Sequence, residues 1–377
     1  MTQKAVATQS LPHALLRGLV ADAVDMVTTG FADAGDVDTA MRLGAGHPQG
    51  PIELLAASPE LRAAWALDDA HLPARGDHPQ TSPSSPAPWT SHVAVVGAGT
   101  MATGIVEVLA SQVDEVTVLT RSPESGARLG AGLRRSVERS VRKGRRDERA
   151  AVELLGRVTT TCADADLGSA QLVVEAVAER LAVKTEVLAR LDAVLPPQVV
   201  LATNTSSFRV GELASCLSPG RAALGLHFFN PAPAMPLVEV IVPPTAPDRL
   251  VGEGMAWARA LGKTAIRCGD ARGFVVNRLL IPFLNDAAGA VREDTGAADV
   301  DRMVHEELGH PMGPLALIDL IGVDITIAAL ESMNEFQDNP RLQPAPQLYR
   351  LVERGWLGRK SGRGFYSYEA PDLKEAR

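Results

Sequence analysis

The chain has 377 residues, of which 46% are apolar, 4% aromatic and 22% charged, and its formal net charge is −8. Such a length predicts two or three domains with sizeable cores. The negative balance argues against a general nucleic-acid binder, and the shortage of aromatic rings against a base-stacking platform. The cysteines Cys162, Cys216 and Cys268 are scattered and fit neither a disulfide framework nor a zinc site, so they are read as buried reduced thiols, with no metal expected. No apolar run approaches a bilayer span, and MTQKAVATQS lacks the apolar stretch of a signal peptide. The expectation is a soluble cytoplasmic protein without a membrane partner.

Residues 1–71 read as a short helical unit. Within it, DVDTAMRLGAGHPQGP (36–51) recurs near the other end of the chain as DVDRMVHEELGHPMGP (299–314). Apolar helix patterns precede both, ALLRGLVADAVDMV and NRLLIPFLNDAAGAV. DVD and HPxGP in one frame are hard to obtain by chance, so the first unit is expected to be a second copy of the C-terminal helical unit. Residues 72–90 follow as a linker, and PARGDHPQTSPSSPAP (73–88) has almost nothing to bury and reads as semi-rigid and extended.

Residues 91–272 alternate strand and helix patterns. The expected strands are His92–Val96, Val116–Leu119, Leu172–Glu175, Val199–Ala202, Ala223–Phe229 and Leu237–Val242. This predicts an α/β fold, a Rossmann-type doubly wound and mainly parallel sheet. From residue 273 to 377 the strand signal fades. VNRLLIPFLNDAAGAVRE and IDLIGVDITIAALESMN each read as a helix, giving an all-helical C-terminal domain.

After the first strand, Gly97-Ala98-Gly99-Thr100-Met101-Ala102 fits G-x-G-x-x-G/A between a strand and a helix, the context of a dinucleotide site. Gly97 permits the tight turn, Gly99 leaves room for a diphosphate, and Ala102 lets helix and sheet pack closely. The helix N-terminus offers N–H groups and partial positive charge to the diphosphate. The second strand ends Thr120-Arg121-Ser122, where an NAD site usually has Asp or Glu. A guanidinium and two hydroxyls would attract a 2′-phosphate that a carboxylate would repel. NADP(H) is therefore expected in preference to NAD(H), the plain alternative being an exposed Arg121 that meets no cofactor.

Further on, LHFFNPAPAMPLVEVI (226–241) puts His227 at the end of one strand and Glu239 within the next, with a proline-broken turn between them. An imidazole held by a carboxylate is a ready acid/base near neutral pH.

Together these segments resemble the 3-hydroxyacyl-CoA dehydrogenase family. The marks are GAGTMA (97–102), VVEAVAE (173–179), NTSS (204–207), HFFNP (227–231), PLVEV (236–240), FVVNRLL (274–280), HPMGP (310–314) and GRKSGRGFY (358–366). The resemblance runs over about 92–370 and returns over 12–57 as the duplicated unit. Dehydrogenases acting on carnitine or gulonate are similar in outline but vary the HFFNP segment. The resemblance implies a hydride-transferring oxidoreductase acting at C3 of a short-chain acyl thioester, in a cleft between nucleotide and helical domains. It implies that His227 exchanges the proton of the 3-hydroxyl and Glu239 orients the imidazole. Ser206 and Asn277 would hydrogen-bond the substrate oxygen. Ala176, Val177, Glu179, Lys184 and Asn204 would line the cofactor, Glu179 near the nicotinamide ribose. Three of these have plain structural alternatives: Ser206 and Asn277 as helix caps, and Glu179 as a solvated side chain.

A basic run, Arg134, Arg135, Arg139, Arg142, Lys143, Arg145 and Arg146, has helical spacing. The resemblance makes this region a helical hairpin that meets CoA, with Ser140 and Lys143 as contacts. A cationic face suits a CoA 3′-phosphate or an acidic acyl carrier protein equally. Two further readings stay open: an enzyme serving hydroxyacyl groups on a carrier protein in polyketide extender-unit biosynthesis, and a non-catalytic dinucleotide-binding structural protein. In the N-terminal copy the place of Asn277 falls near His13-Ala14, so that copy is read as structural. Either it forms an intrachain pseudo-dimer in a monomer, or the protein is a homodimer.

Overall fold

The computed structural model describes residues 10–65, 88–244, 246–247, 249–335 and 339–368. The chain divides into two compact units, Met1–Gly76 with Val275–Arg377, and Asp77–Phe274. The expected extended linker lies, up to residue 87, outside the described residues.

The helical unit begins with α1 (Leu11–Thr28), α2 (Ala34–Gly44), α3 (Pro51–Ala57) and α4 (Pro59–Trp65). In α1, Leu15, Leu16, Leu19, Val20 and Ala23 recur at helical spacing and are buried along one face. Pro12 sits in the first turn, where its missing N–H costs no helical bond.

The sheet unit then runs β1 (His92–Val96), α5 (Thr100–Ala110), β2 (Glu115–Leu119), α6 (Pro123–Arg142), α7 (Glu148–Gly156), β3 (Val158–Thr161), β4 (Leu172–Glu175), α8 (Leu181–Val194), β5 (Val200–Thr203), α9 (Val210–Ala214), β6 (Ala223–Phe228), β7 (Leu237–Ile241), α10 (Arg249–Ala260) and β8 (Thr264–Cys268). The strands form one sheet in the order β3-β2-β1-β4-β5-β6-β7-β8. Every neighbouring pair is parallel except β6 and β7. β1 is buried on both faces because helices cover both. Val93 and Val95 meet Ile105 and Leu109 of α5 and Leu129 and Leu133 of α6 in one core. Ala94 and Val96 pack with Leu188 and Leu191 of α8 and Leu213 of α9 in the other. The strand order reverses beside β1, which places the dinucleotide crevice of such sheets at the carboxyl ends of β1 and β4.

The helical unit resumes with α11 (Val276–Gly289), α12 (Ala297–Leu308), α13 (Pro314–Ile321), α14 (Val323–Asn334) and α15 (Pro346–Glu353). α1 packs on α11 and α12, and α2 on α11. The two repeats make matching contacts. Asp38 accepts hydrogen bonds from the backbone N–H groups of Ile52 (2.8 Å) and Glu53 (3.0 Å). Asp301 does the same for Leu315 (2.8 Å) and Ala316 (2.9 Å). Each carboxylate thus caps the following helix, where orphan donors and the dipole favour an anion. A Cβ on Gly50 or Gly313 would come within 2.2 Å of that aspartate, which explains the glycine of HPxGP. The two HPxGP histidines, His47 and His310, meet ring to ring at 4.1 Å, with Phe283 edging both. Arg341 ties the copies further, bonding Asp22 and the carbonyl of Gly18 on α1 and Asp286 on α11.

Four expectations need correction. β3 and β8 were not expected as strands: Val158–Thr161 is an edge segment with little to bury, and in Thr264–Cys268 the exposed Thr264 and Arg267 interrupt the apolar residues. IDLIGVDITIAALESMN is two helices, α13 and α14, divided at Gly322, whose φ of +113° is left-handed. Cys162 is exposed and Cys216 half-buried, so only Cys268 is the buried thiol expected of all three.

Burial pushes the His47 imidazole down to about 3, helped by the neighbouring His310 ring, and burial likewise lowers His310 to about 4. Both are therefore neutral when folded, whereas in the unfolded chain they take up a proton below about pH 6.5. Their contribution is complete above that value and is lost as the pH falls from it toward the folded pKa. The denaturation midpoint should drop between about pH 7 and about pH 5, above the range where most carboxylates titrate. His47→Leu/His310→Leu should remove most of that slope, and a variant with the wild-type slope would show that this pair is not its source.

Candidate active site

Gly97, directly after β1, has φ +133°, and a Cβ there would lie 2.5 Å from the Ala176 carbonyl at the end of β4. Only glycine makes this turn. A Cβ on Gly99 would meet nothing within 4 Å, so the backbone is open on the side a diphosphate approaches. Thr100 opens α5 and is exposed, Met101 is half-buried, and Ala102 is fully buried against the sheet. A dinucleotide fits this cradle.

At the end of β2 the three expected ligands part company. The Thr120 hydroxyl is buried and donates to the Ser122 carbonyl (3.0 Å). Ser122 is the N-cap of α6, its hydroxyl accepting from Ser125 N–H (3.3 Å). The Thr120 hydroxyl is thus engaged within the chain, while Ser122 is half-buried at the helix start. Arg121 is exposed and makes no hydrogen bond or ion pair among the described residues. A cavity of 620 Å³ lies on the far side of Thr120, beneath α6, lined by Leu129, Leu133, Arg134, Thr160 and Cys162. It contains neither His227 nor Glu239.

β4 and β5 end in a buried charge network. Glu175 is inaccessible to solvent and accepts from Val177 N–H (2.7 Å), Lys184 Nζ (2.9 and 3.1 Å) and Thr203 Oγ1 (2.7 Å). Lys184 is 1% exposed and also pairs with Glu179 Oε2 at 3.1 Å. Glu179 Oε1 accepts from Thr205 Oγ1 (2.6 Å) and from the N–H groups of Ser206 (2.9 Å) and Ser207 (3.0 Å). Burial alone would raise the Glu179 carboxyl, but Lys184 and these donors outweigh it and hold the pKa below its ordinary value. Glu179 is exposed, yet its carboxylate is engaged and anchors the loop that carries Ser206. Ser206 does not cap a helix either, since α9 begins at Val210 and, among the described residues, the Ser206 hydroxyl reaches only Ser207 Oγ, at 3.4 Å.

β6 and β7 pair antiparallel with His227 directly opposite Glu239. Side chains opposed in this way share one face of the sheet. His227 Nδ1 lies 2.5 Å from Glu239 Oε2, with His227 5% exposed and Glu239 0%. A carboxylate accepts from Nδ1–H in such a contact, and Nε2 is the ring nitrogen left over. Nε2 makes no hydrogen bond among the described residues. Phe229 (centroids 4.5 Å apart) and Phe274 (5.5 Å) flank the imidazole. Asn204 Oδ1 accepts from Phe228 N–H at 2.8 Å, so this expected cofactor ligand also fixes the backbone beside His227. Lys263 donates to the carbonyls of Ala232 (2.7 Å) and Met235 (2.8 Å), clasping the proline-broken turn. A Cβ on Gly104 of α5 would touch the same turn at 3.3 Å.

The remaining candidates are placed more simply. Ser140 is half-buried in the last turn of α6 and Lys143 exposed at its C-cap. Asn277 belongs to the helical unit, half-buried at the second position of α11, and its amide makes no hydrogen bond among the described residues, so it does not cap that helix. Sequence reasoning gave no role to Glu175, Thr205, Lys263 or Phe274. Glu175, Thr205 and Phe274 stood inside quoted motifs, and a charged residue within an otherwise apolar strand was the signal for Glu175.

A glycine turn at the switch point of a parallel sheet, with a carboxylate-backed imidazole on a neighbouring strand, defines a nicotinamide-dependent oxidoreductase. The family model described as the NAD-binding domain of 3-hydroxyacyl-CoA dehydrogenase matches residues 92–271, and that described as its C-terminal domain matches 13–59 and 273–368. The chain belongs to the 3-hydroxyacyl-CoA dehydrogenase family. It is 44% identical over 288 residues to a 3-hydroxybutyryl-CoA dehydrogenase of Mycobacterium tuberculosis, covering 73% of this chain and 98% of that one. A probable 3-hydroxybutyryl-CoA dehydrogenase of Bacillus subtilis is 37% identical over 278 residues, 74% of this chain and 97% of the relative. The crystal structure of M. tuberculosis FadB2 superposes with a TM-score of 0.70 at 42% identity, covering 75% of this chain and all of that one. That of (S)-3-hydroxybutyryl-CoA dehydrogenase PaaH1 from Ralstonia eutropha gives 0.71 at 33% identity, covering 74% and 99%.

Glu239→Gln keeps the size and the hydrogen-bonding oxygen but removes the charge that stabilises an imidazolium. Turnover should fall by about 10²- to 10³-fold while cofactor affinity and melting temperature change little. Unchanged turnover in a steady-state assay would remove the carboxylate from the acid/base pair.

Proposed function

We propose that the chain is a short-chain 3-hydroxyacyl thioester dehydrogenase of the 3-hydroxybutyryl-CoA type. The observation that carries this is the 2.5 Å contact between His227 Nδ1 and Glu239 Oε2, with Nε2 left to meet substrate. When bound, the nicotinamide takes or gives the hydride at C3. His227 Nε2 takes the proton of the 3-hydroxyl in oxidation and returns it in reduction, and Glu239 holds the ring in one tautomer. The roles proposed for Ser206 and Asn277 are hydrogen bonds to the substrate oxygen. The intact His–Glu pair weighs against a non-catalytic scaffold.

The preference for NADP(H) over NAD(H) rests mainly on Arg121 and on the lack of a carboxylate directly after β2, since the Thr120 hydroxyl is buried and Ser122 caps α6. Acetoacetyl-CoA should be reduced with NADPH faster than with NADH. His227→Ala should bind cofactor but lose turnover by about 10³-fold or more, and Arg121→Asp should move the preference toward NADH. No turnover of acetoacetyl-CoA with either cofactor would end the functional reading, and a wild-type preference for NADH would end only the cofactor reading.

We further propose that the protein is a monomer in which residues 10–65 take the place of a partner's helical unit. The support is the matched repeat contacts and the His47–His310 ring pair. Light scattering should give 39.8 kDa across the accessible concentration range, and twice that mass would overturn the proposal.

A further inference from the structure

The outer face of α6 is built for an anion that the chain itself does not provide. Residues 128–149 hold nine Lys or Arg against three Asp or Glu, net +6 within a chain of net −8. Arg135, Arg139 and Arg142 recur at i, i+4 and i+7 and so form one stripe. All three are exposed, and none makes a hydrogen bond or ion pair among the described residues. The same is true of Arg134, Lys143 and Arg145.

Folding does not account for the stripe. α6 is anchored by its inner face, where Leu129, Leu133 and Val137 are buried at i, i+4 and i+8. Cations in the last turn of a helix complement its dipole, but Arg135 stands two turns before the end. Like charges three and four residues apart weaken a helix, and Glu138, at i+3 from Arg135 and i−4 from Arg142, is the only acid within the stripe to offset them. Of the three acids, Asp147 is engaged in capping α7. α7, which packs on α6, adds an unusually exposed apolar side chain, Val152 at 71%.

We infer that the α6 stripe is a docking face for an acidic acyl carrier protein presenting the acyl thioester on its phosphopantetheine arm. The inference rests on the thioester-dehydrogenase reading given above. CoA carries the same arm but only three phosphates, grouped at one end of a small molecule. Six unpartnered cations, spread over about 12 Å of helix from Arg134 to Arg142 and into the turn that follows, exceed what that cluster neutralises and match the extended acidic surface of a protein. An apolar side chain beside a charged rim is the usual composition of such an interface. A nucleic acid is a poorer match, because residues 128–149 contain no aromatic side chain and the rest of the chain is strongly negative.

The test compares kcat/KM for acetoacetyl-CoA and for acetoacetyl-(acyl carrier protein) with one cofactor. At about 20 mM salt the carrier substrate should be preferred by about tenfold or more, and that preference should fade by about 200 mM as screening grows. Arg135→Glu/Arg139→Glu/Arg142→Glu should raise KM for the carrier substrate by about tenfold more than it raises KM for acetoacetyl-CoA. The wild-type salt dependence, read by titrating the carrier protein against the intact enzyme, tests the same point if the triple variant fails to fold. A carrier substrate used no better than acetoacetyl-CoA at low salt overturns the inference, as does an equal effect of the variant on both thioesters. In either case turnover of acetoacetyl-CoA leaves the dehydrogenase reading standing, whereas loss of turnover on both thioesters removes both.

Discussion

Because β7 runs back along β6, His227 and Glu239 fall opposite one another on a single pleat. All other neighbouring strands in the sheet are parallel, and a parallel pair cannot be joined by a tight turn. The reversal at this point therefore brings an acid and a base twelve residues apart into contact with little loop to order. Much of the surrounding structure serves that reversal. Lys263 holds the turn by two carbonyls, Asn204 holds the backbone at Phe228, and Phe229 and Phe274 wall the ring. A base positioned by strand pairing is more rigid than one carried on a free loop, which favours a fixed proton-transfer geometry.

The second organising element is the chain of charges from Glu175 through Lys184 to Glu179. A carboxylate with no exposure is tolerated only when paired and fully hydrogen-bonded, and Glu175 meets both conditions. The network passes this anchoring through Glu179 to the loop at Thr205–Ser207, so the position of Ser206 is tied to the buried Glu175–Lys184 pair. Glu179 and Lys184 therefore act on the geometry of the crevice whatever further contacts they make with a cofactor.

Much of this was legible in the sequence, for identifiable reasons. Six strands carry runs of buried branched residues, which declare themselves without neighbours. The glycine turn was readable because Gly97 needs a conformation that other residues avoid. The repeat was readable because Asp38 and Asp301, Gly50 and Gly313, and His47 and His310 each have a contact that demands that residue type. What escaped were features settled by partners distant in sequence. β3 takes its strand form from β2, because threonines alone do not specify it. The bonding of the Thr120 and Ser122 hydroxyls follows from the start of α6, and Lys263 gains its role only when β8 lies beside β7.

The two copies in the helical unit are similar but not identical, and this has a consequence for how the protein can change. In a symmetric pair of separate subunits every substitution is made twice, and a contact across the axis must be complementary to itself. Here a change at His47 leaves His310 untouched, and Arg341 bridges Asp22 and Asp286 without a mirror-image bridge being required. One half can thereby vary without the other, as the different residues near His13-Ala14 and at Asn277 illustrate.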